Sequence, residues 1–115
     1  MTNVADCIFC SIVAGEIPAD VVAESETALA FRDLNPQAPL HVLVVPRTHV
    51  ATAADLADRE PETVAELVRV ARRVAGDAGH ESYRLILNTG EDAGQTVLHA
   101  HLHVLAGRPQ PWPPG

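Results

Sequence analysis

The chain has 115 residues, of which 47% are apolar, and a formal net charge of −7. That length suits one domain with a single core, and no apolar run approaches the roughly 20 residues that span a bilayer. The acidic balance excludes broad binding to nucleic-acid backbones, which needs a basic face, but leaves room for a small anionic ligand held by histidines and backbone N–H groups.

In chain order, residues 7–14 read as a short helix ended by Gly15 and Pro18. Residues 21–24 and 27–33 read as two short strands about a tight turn at Ser25 and Glu26. Residues 34–39 form a loop, because Pro36 and Pro39 lack ladder donors. Residues 41–45 carry Val and Leu on both faces, as a central strand does. After Pro46 a polar stretch leads to one long helix starting near Pro61, with Glu60 and Glu62 beside the positive end of its dipole. Val64, Leu67, Val68, Ala71 and Val74 recur at helical spacing, and Gly76 and Gly79 mark the end. Residues 82–88 make a strand, 89–95 a Gly-rich loop, and a histidine-bearing strand follows. The Pro-rich tail at 108–115 is irregular. No repeat or linker divides residues 1–115, so a single α+β domain is expected. It combines a mainly antiparallel sheet of about five strands with one long and one short helix.

Three of the six histidines, His99, His101 and His103, fall at alternate positions in an apolar run. On a strand they share one face, roughly 7 Å apart, while Ala100, Leu102 and Val104 enter the core. Core packing does not ask for that pattern. The rings could be metal ligands, as His-x-His on a strand suits zinc, or one could be a nucleophile served by its neighbours. The bland alternative keeps one or two as surface or packed residues. The loop just before them offers Asn88, Gly90, Gly94, Gln95 and Thr96, small residues with an amide and a hydroxyl that suit phosphate oxygens.

Residues 99–105, His-Ala-His-Leu-His-Val-Leu, resemble the His-φ-His-φ-His-φ-φ signature of the histidine triad (HIT) family of nucleotide hydrolases and transferases. Residues 31–41 (FRDLNPQAPLH), 44–49 (VVPRTH), 88–90 (NTG) and the closing Trp-Pro-Pro-Gly at 112–115 resemble its Hint branch. The resemblance implies a purine nucleoside phosphoramidase that cleaves the P–N bond of adenosine 5′-phosphoramidate or related nucleotidyl conjugates. It casts His101 as the nucleophile on the α-phosphorus, its far nitrogen held by the His99 carbonyl. His103 then contacts the phosphate and leaving group, and His41 belongs to the surrounding histidine network. Asn88, Gly94, Gln95 and Thr96 match phosphate and leaving-group contacts. Asp33 matches an acceptor for the ribose hydroxyls, and Ile8, Phe9, Ile12, Phe31 and Leu34 wall the base. As apolar residues, these five also suit ordinary core.

Cys7 and Cys10 form a Cys-x-x-Cys pair. A disulfide is disfavoured in the cytosol, and a thioredoxin-like pair wants a strand leading into its helix. The pair is half of a zinc site, and the resemblance implies His49 and His99 as the other ligands of a structural zinc ion. Inert buried thiols are the alternative. The resemblance also implies a homodimer with Trp112 at the interface near the partner's site, against the default of a disordered end. Residues 1–6 lack the basic and apolar parts of a secretory signal, so a cytoplasmic location is expected, with neither nucleic-acid polymer nor membrane as partner. Two other functions stay open. One is a purine-nucleotide-binding regulatory or scaffold protein with incidental catalysis. The other is a metal-dependent hydrolase using the three histidines as ligands.

Overall fold

Five short apolar segments pair into one sheet in the computed structural model, which describes residues 6–115. Residues 1–5, most of the segment read as lacking a secretory signal, lie outside the described residues. Helix α1 (Ile8–Val13) precedes strands β1 (Val21–Glu24), β2 (Ala28–Arg32) and β3 (Leu40–Pro46). Helices α2 (Ala53–Arg59) and α3 (Pro61–Asp77) follow, then β4 (Arg84–Leu87), a 3₁₀ turn at Glu91–Ala93 and β5 (Leu102–Ala106). The strand order is β1-β2-β3-β5-β4, every neighbouring pair antiparallel. The α+β class holds, and β3 is central and buried throughout.

Alternation along the strands divides the core in two. Leu40, Val42 and Val44 of β3, with Leu102, Val104 and Ala106 of β5, pack against Leu67, Val70, Ala71 and Val74 of α3. Leu43 and Val45 turn the other way, joining Leu29 and Phe31 of β2 against Cys7 and Phe9. His41 and His103 alternate with the helix-facing residues of β3 and β5, so they share this second face. One face of the sheet is thus sealed by α3, and the other is left to α1 and the histidines.

Helix α3 starts with Pro61 in its first turn, where a missing N–H costs nothing. Its buried stripe runs Leu67, Val70, Ala71, Val74. Val68, expected on that stripe, is exposed, because it lies about 100° round the helix from Leu67. Gly76 falls inside the helix rather than at its end; Gly79, with φ +86°, makes the turn out. Among the described residues there are three helices rather than two, for the polar stretch after Pro46 contains α2. Thr52 caps it, its Oγ1 accepting from the Asp55 N–H at 3.1 Å. With Leu56 as its buried residue, α2 is too short to announce itself by apolar period.

The histidine segment also departs from expectation. Strand β5 begins at Leu102, so His103 lies in it while His99 and His101 precede it. Val44 pairs with Leu102, and continuing that register would set Pro46 opposite Ala100. Proline has no N–H to give, so the ladder stops. The Ala100 N–H donates instead to the Val50 carbonyl at 2.7 Å. Beyond β5 no regular element forms; Arg84 Nη2 donates to the carbonyls of Gln110 and Pro111 at 3.1 and 2.9 Å, and Trp112 is exposed. Among the described residues, no helix is long and apolar enough to cross a membrane.

Candidate active site

A cavity of about 260 Å³ lies between α1 and the second face of the sheet. Ile8, Phe9 and Ile12 of α1 line it, with Phe31 and Arg32 of β2, Asp33, Leu34, Leu43 of β3, Thr96, Val97, His101 and His103. The five apolar residues expected around the base all line the cavity. Phe9 and Phe31 are core residues as well, meeting edge to face with centroids 5.6 Å apart. Leu34 is 98% exposed and stands at the mouth. Pro18, Ala19, Arg32, Leu43 and Val97 complete the wall without having been anticipated. Pro18 and Ala19 follow the break after α1, where the sequence signals only a helix stop.

The rings of His101 and His103 lie 5.1 Å apart, nearer than the 7 Å or so of strand spacing, because His101 sits on the irregular approach to β5. Hydrogen bonds to the main chain decide which nitrogen each ring presents. His101 Nδ1 stands 2.7 Å from the His99 carbonyl oxygen, which can only accept. The proton is therefore on Nδ1, and the neutral ring carries its lone pair on Nε2. His41 Nδ1 accepts from the Gln37 main-chain N–H at 3.0 Å, so His41 holds its proton on Nε2. From there it donates to His103 Nδ1 at 2.9 Å, with Asp33 Oδ2 at 3.5 Å as a second acceptor. His103 is left with its proton on Nε2. The cavity thus receives a lone-pair nitrogen from His101 and a donor from His103.

Burial keeps His41 and His103 neutral. It pushes His103 down to about 4, with His101 and His41 adding to the effect and Asp33 opposing it. His41 is lowered too, by burial, against the pull of Asp33.

His99 has a different role. Fully buried, it donates from Nε2 to the Pro46 carbonyl at 2.9 Å and turns Nδ1 toward Cys7 Sγ at 3.4 Å and Cys10 Sγ at 3.6 Å. Cys10 Sγ is 3.2 Å from His49 Nδ1. The four ligand atoms of Cys7, Cys10, His49 and His99 all lie within 4.8 Å of one another, so this group could hold a metal ion. Two thiols and two imidazoles are a tetrahedral zinc set, and the Pro46 carbonyl fixes His99 in the ligating tautomer. Burial pushes the Cys10 thiol up to about 11, helped by the adjacent Cys7, and a bound divalent cation would reverse that preference. The reading of the triad as one set of metal ligands does not fit. His99 points to the thiols, His101 Nδ1 to a carbonyl and His103 Nδ1 to His41, so their nitrogens do not converge.

The loop residues divide. Thr96 lines the cavity; Asn88, Gly94 and Gln95 do not. Gln95, expected to contact phosphate, is buried with its amide spent on the backbone. Its Oε1 accepts from the Gly90 N–H at 2.9 Å, and its Nε2 donates to the carbonyls of Ala51 and Val97 at 2.6 and 3.0 Å. Gln95 is a lock on the loop. Gly94, at φ +100°, turns the chain beside Asn88.

Comparison with known proteins agrees with this architecture. The family model of the HIT domain matches residues 14–110. The chain is 39% identical, over 90% of its length and 89% of the relative's, to the purine nucleoside phosphoramidase of Escherichia coli strain K12. It superposes with a TM-score of 0.89 on a HIT family hydrolase from Legionella pneumophila Philadelphia 1, at 47% identity, covering 95% of this chain and 99% of that one. A Zn-bound histidine triad family protein from Mycobacterium smegmatis matches at 36% identity and TM-score 0.81, over 92% and 78% of the two chains. On fold, sequence and the placement of its histidines, the chain belongs to the HIT family and is a hydrolase of that family.

Proposed function

We propose that this protein hydrolyses the P–N bond of adenosine or other purine nucleoside 5′-phosphoramidates through a covalent nucleotidyl intermediate on His101. The observation that carries the reading is the 2.7 Å bond from His101 Nδ1 to the His99 carbonyl, which leaves Nε2 free to attack phosphorus. The imidazole–phosphorus bond forms as the P–N bond breaks; water then opens the intermediate, and one hard displacement becomes two easier ones. His103 offers its Nε2–H to the phosphate and leaving group, and His41 fixes that polarity from behind. Asp33 accepts from the ribose hydroxyls at the cavity edge. Ile8, Phe9, Ile12, Phe31 and Leu34 enclose the base with no side chain suited to reading its hydrogen-bonding edge, so weak discrimination between purines is expected. Thr96 is the side-chain hydroxyl facing the phosphate. Asn88 and Gly94 lie beyond the wall, where they would meet a leaving group that extends past Thr96.

Cys7, Cys10, His49 and His99 are proposed to hold a structural zinc ion. Bound there, the metal supplies no chemistry to the reaction; it ties α1 to the segment that carries His101. We further propose a cytoplasmic homodimer in which Trp112, exposed on one protomer, packs near the partner's site. The chain takes no nucleic-acid polymer and no membrane as partner in this reading.

A fluorogenic adenosine phosphoramidate tests the assignment. His101→Ala is expected to lose several orders of magnitude in turnover while retaining fold and nucleotide affinity. Near-wild-type turnover by the variant would refute the nucleophile, and binding without turnover by the wild type would favour a nucleotide-binding scaffold.

A further inference from the structure

The donor that His103 presents to the cavity depends on a contact made on the far side of His41. The Gln37 amide N–H obliges His41 Nδ1 to be the acceptor, and Asp33 Oδ2, 3.5 Å from Nε2, supports the same tautomer at longer range. Were that amide withdrawn, the long Asp33 contact would be left to hold the proton on His41 Nε2, and the proton order of His41 and His103 would loosen together. Gln37 is exposed on the loop between β2 and β3, where packing alone holds it poorly. Its own Nε2 donates to the Asn35 carbonyl at 3.0 Å, and two neighbours after β5 hold it from outside the loop. Arg108 Nε donates to the Gln37 carbonyl oxygen at 2.9 Å. Gly107, at φ +94°, lies so close beneath Pro39 that a Cβ there would stand 2.8 Å from Pro39 Cβ and 3.1 Å from its Cγ. One contact is polar and one is steric, and both press on the same loop.

We propose that Gly107 and Arg108 form a brace, and that Arg108 is a positioning residue for the hydrolytic reaction. Through Gln37 it sets the proton order of His41 and His103, and so keeps a donor rather than a lone pair on the leaving-group side. This rests on the roles assigned above to His101 and His103. Arg108 touches neither the cavity wall nor the histidines, and its side chain is exposed, so its removal leaves the core intact.

The decisive experiment has one arm without substrate and one with it. Long-range ¹H–¹⁵N spectra of histidine-labelled protein report which nitrogen of each ring is protonated. Wild type is expected to have His41 and His103 both protonated on Nε2. Arg108→Ala is expected to give mixed tautomers at both rings, Gly107→Ala the same by the steric route, and Arg108→Lys to restore the single form. In turnover, Arg108→Ala is expected to lose about tenfold with an alkylamine leaving group, the worth of roughly one hydrogen bond. It should lose much less with a p-nitrophenolate ester of AMP, which departs without a donor. Unchanged tautomers in both variants, or equal loss on both substrates, would overturn the brace. If the wild type turns over neither substrate, the functional reading fails by itself, and the tautomer spectra still decide for or against the brace.

Discussion

His99 and His101 are joined by a 2.7 Å hydrogen bond from the ring of one to the carbonyl of the other, yet their side chains serve different sites. His101 faces the cavity, and His99 turns to the thiols of Cys7 and Cys10. A single backbone carbonyl therefore links the candidate metal centre to the candidate nucleophile.

That link makes metal removal informative. Protein purified without chelator is expected to carry zinc, with Cys7→Ser losing it. Metal loss should lower the melting temperature by about 10 °C, the equivalent of roughly 2 kcal/mol for a domain of this size. Turnover should fall with the loss of fold, and should persist under chelation wherever the fold persists. Elemental analysis finding no zinc, together with an unchanged melting curve for Cys7→Ser, would remove the metal from the account.

Acid should destabilise the fold through its neutral histidines. The folded-state value of His103, about 4, lies below the ordinary histidine value of 6.5, so the unfolded chain binds protons that the native chain refuses. The stability contributed is complete above about 6.5 and is lost as the pH falls from there toward 4. His41 acts in the same direction. Urea midpoints measured across that window should fall as the pH is lowered, and those of His103→Gln should fall less steeply. Parallel pH profiles for the two proteins would mean that His103 is not buried in its neutral form.

Gln95 separates a loop lock from a phosphate contact. Its amide serves one N–H and two carbonyls, so Gln95→Glu leaves Ala51 and Val97 without a donor and brings a charge into a buried place. A loss of about 1–3 kcal/mol is expected, with faster amide exchange across residues 89–97. Normal stability combined with a raised KM would instead place Gln95 against the substrate.

The sheet and α3 meet at Leu102, 2% exposed and packed in the larger core cluster. Leu102→Ala is expected to cost about 3 kcal/mol by chemical denaturation, within the range for a buried leucine whose cavity does not collapse. Because Leu102 points away from the histidines, the KM of the folded variant should stay near that of the wild type.

Much of this is legible in the sequence. The apolar run on both faces of β3 and the 3.6 period of α3 are read from side-chain type and backbone geometry, and both segments form where expected. The family signature singled out His101, Asp33, Thr96 and the five apolar wall residues, and the fold brings them to one cavity. The short helix α2 is hidden in the sequence because its signal is a cap, Thr52 to Asp55, with no apolar stripe to extend it. The start of β5 is not set locally, because it depends on Pro46, a residue remote in sequence that cannot continue the ladder.

The sequence by itself determined the kinds of chemistry on offer, the order of the strands and the long helix, and most of the buried stripe of α3, because these follow from local period and side-chain type. Only the tertiary structure decided what each histidine does. An imidazole is donor or acceptor according to the partner at its other nitrogen, and here those partners are main-chain groups at Gln37, Pro46 and His99. One of them, Pro46, comes from a segment distant from the histidine it engages, so no local pattern could have named it. The same holds for Gln95, whose amide looks free in the sequence and is fully engaged once Ala51 folds against it.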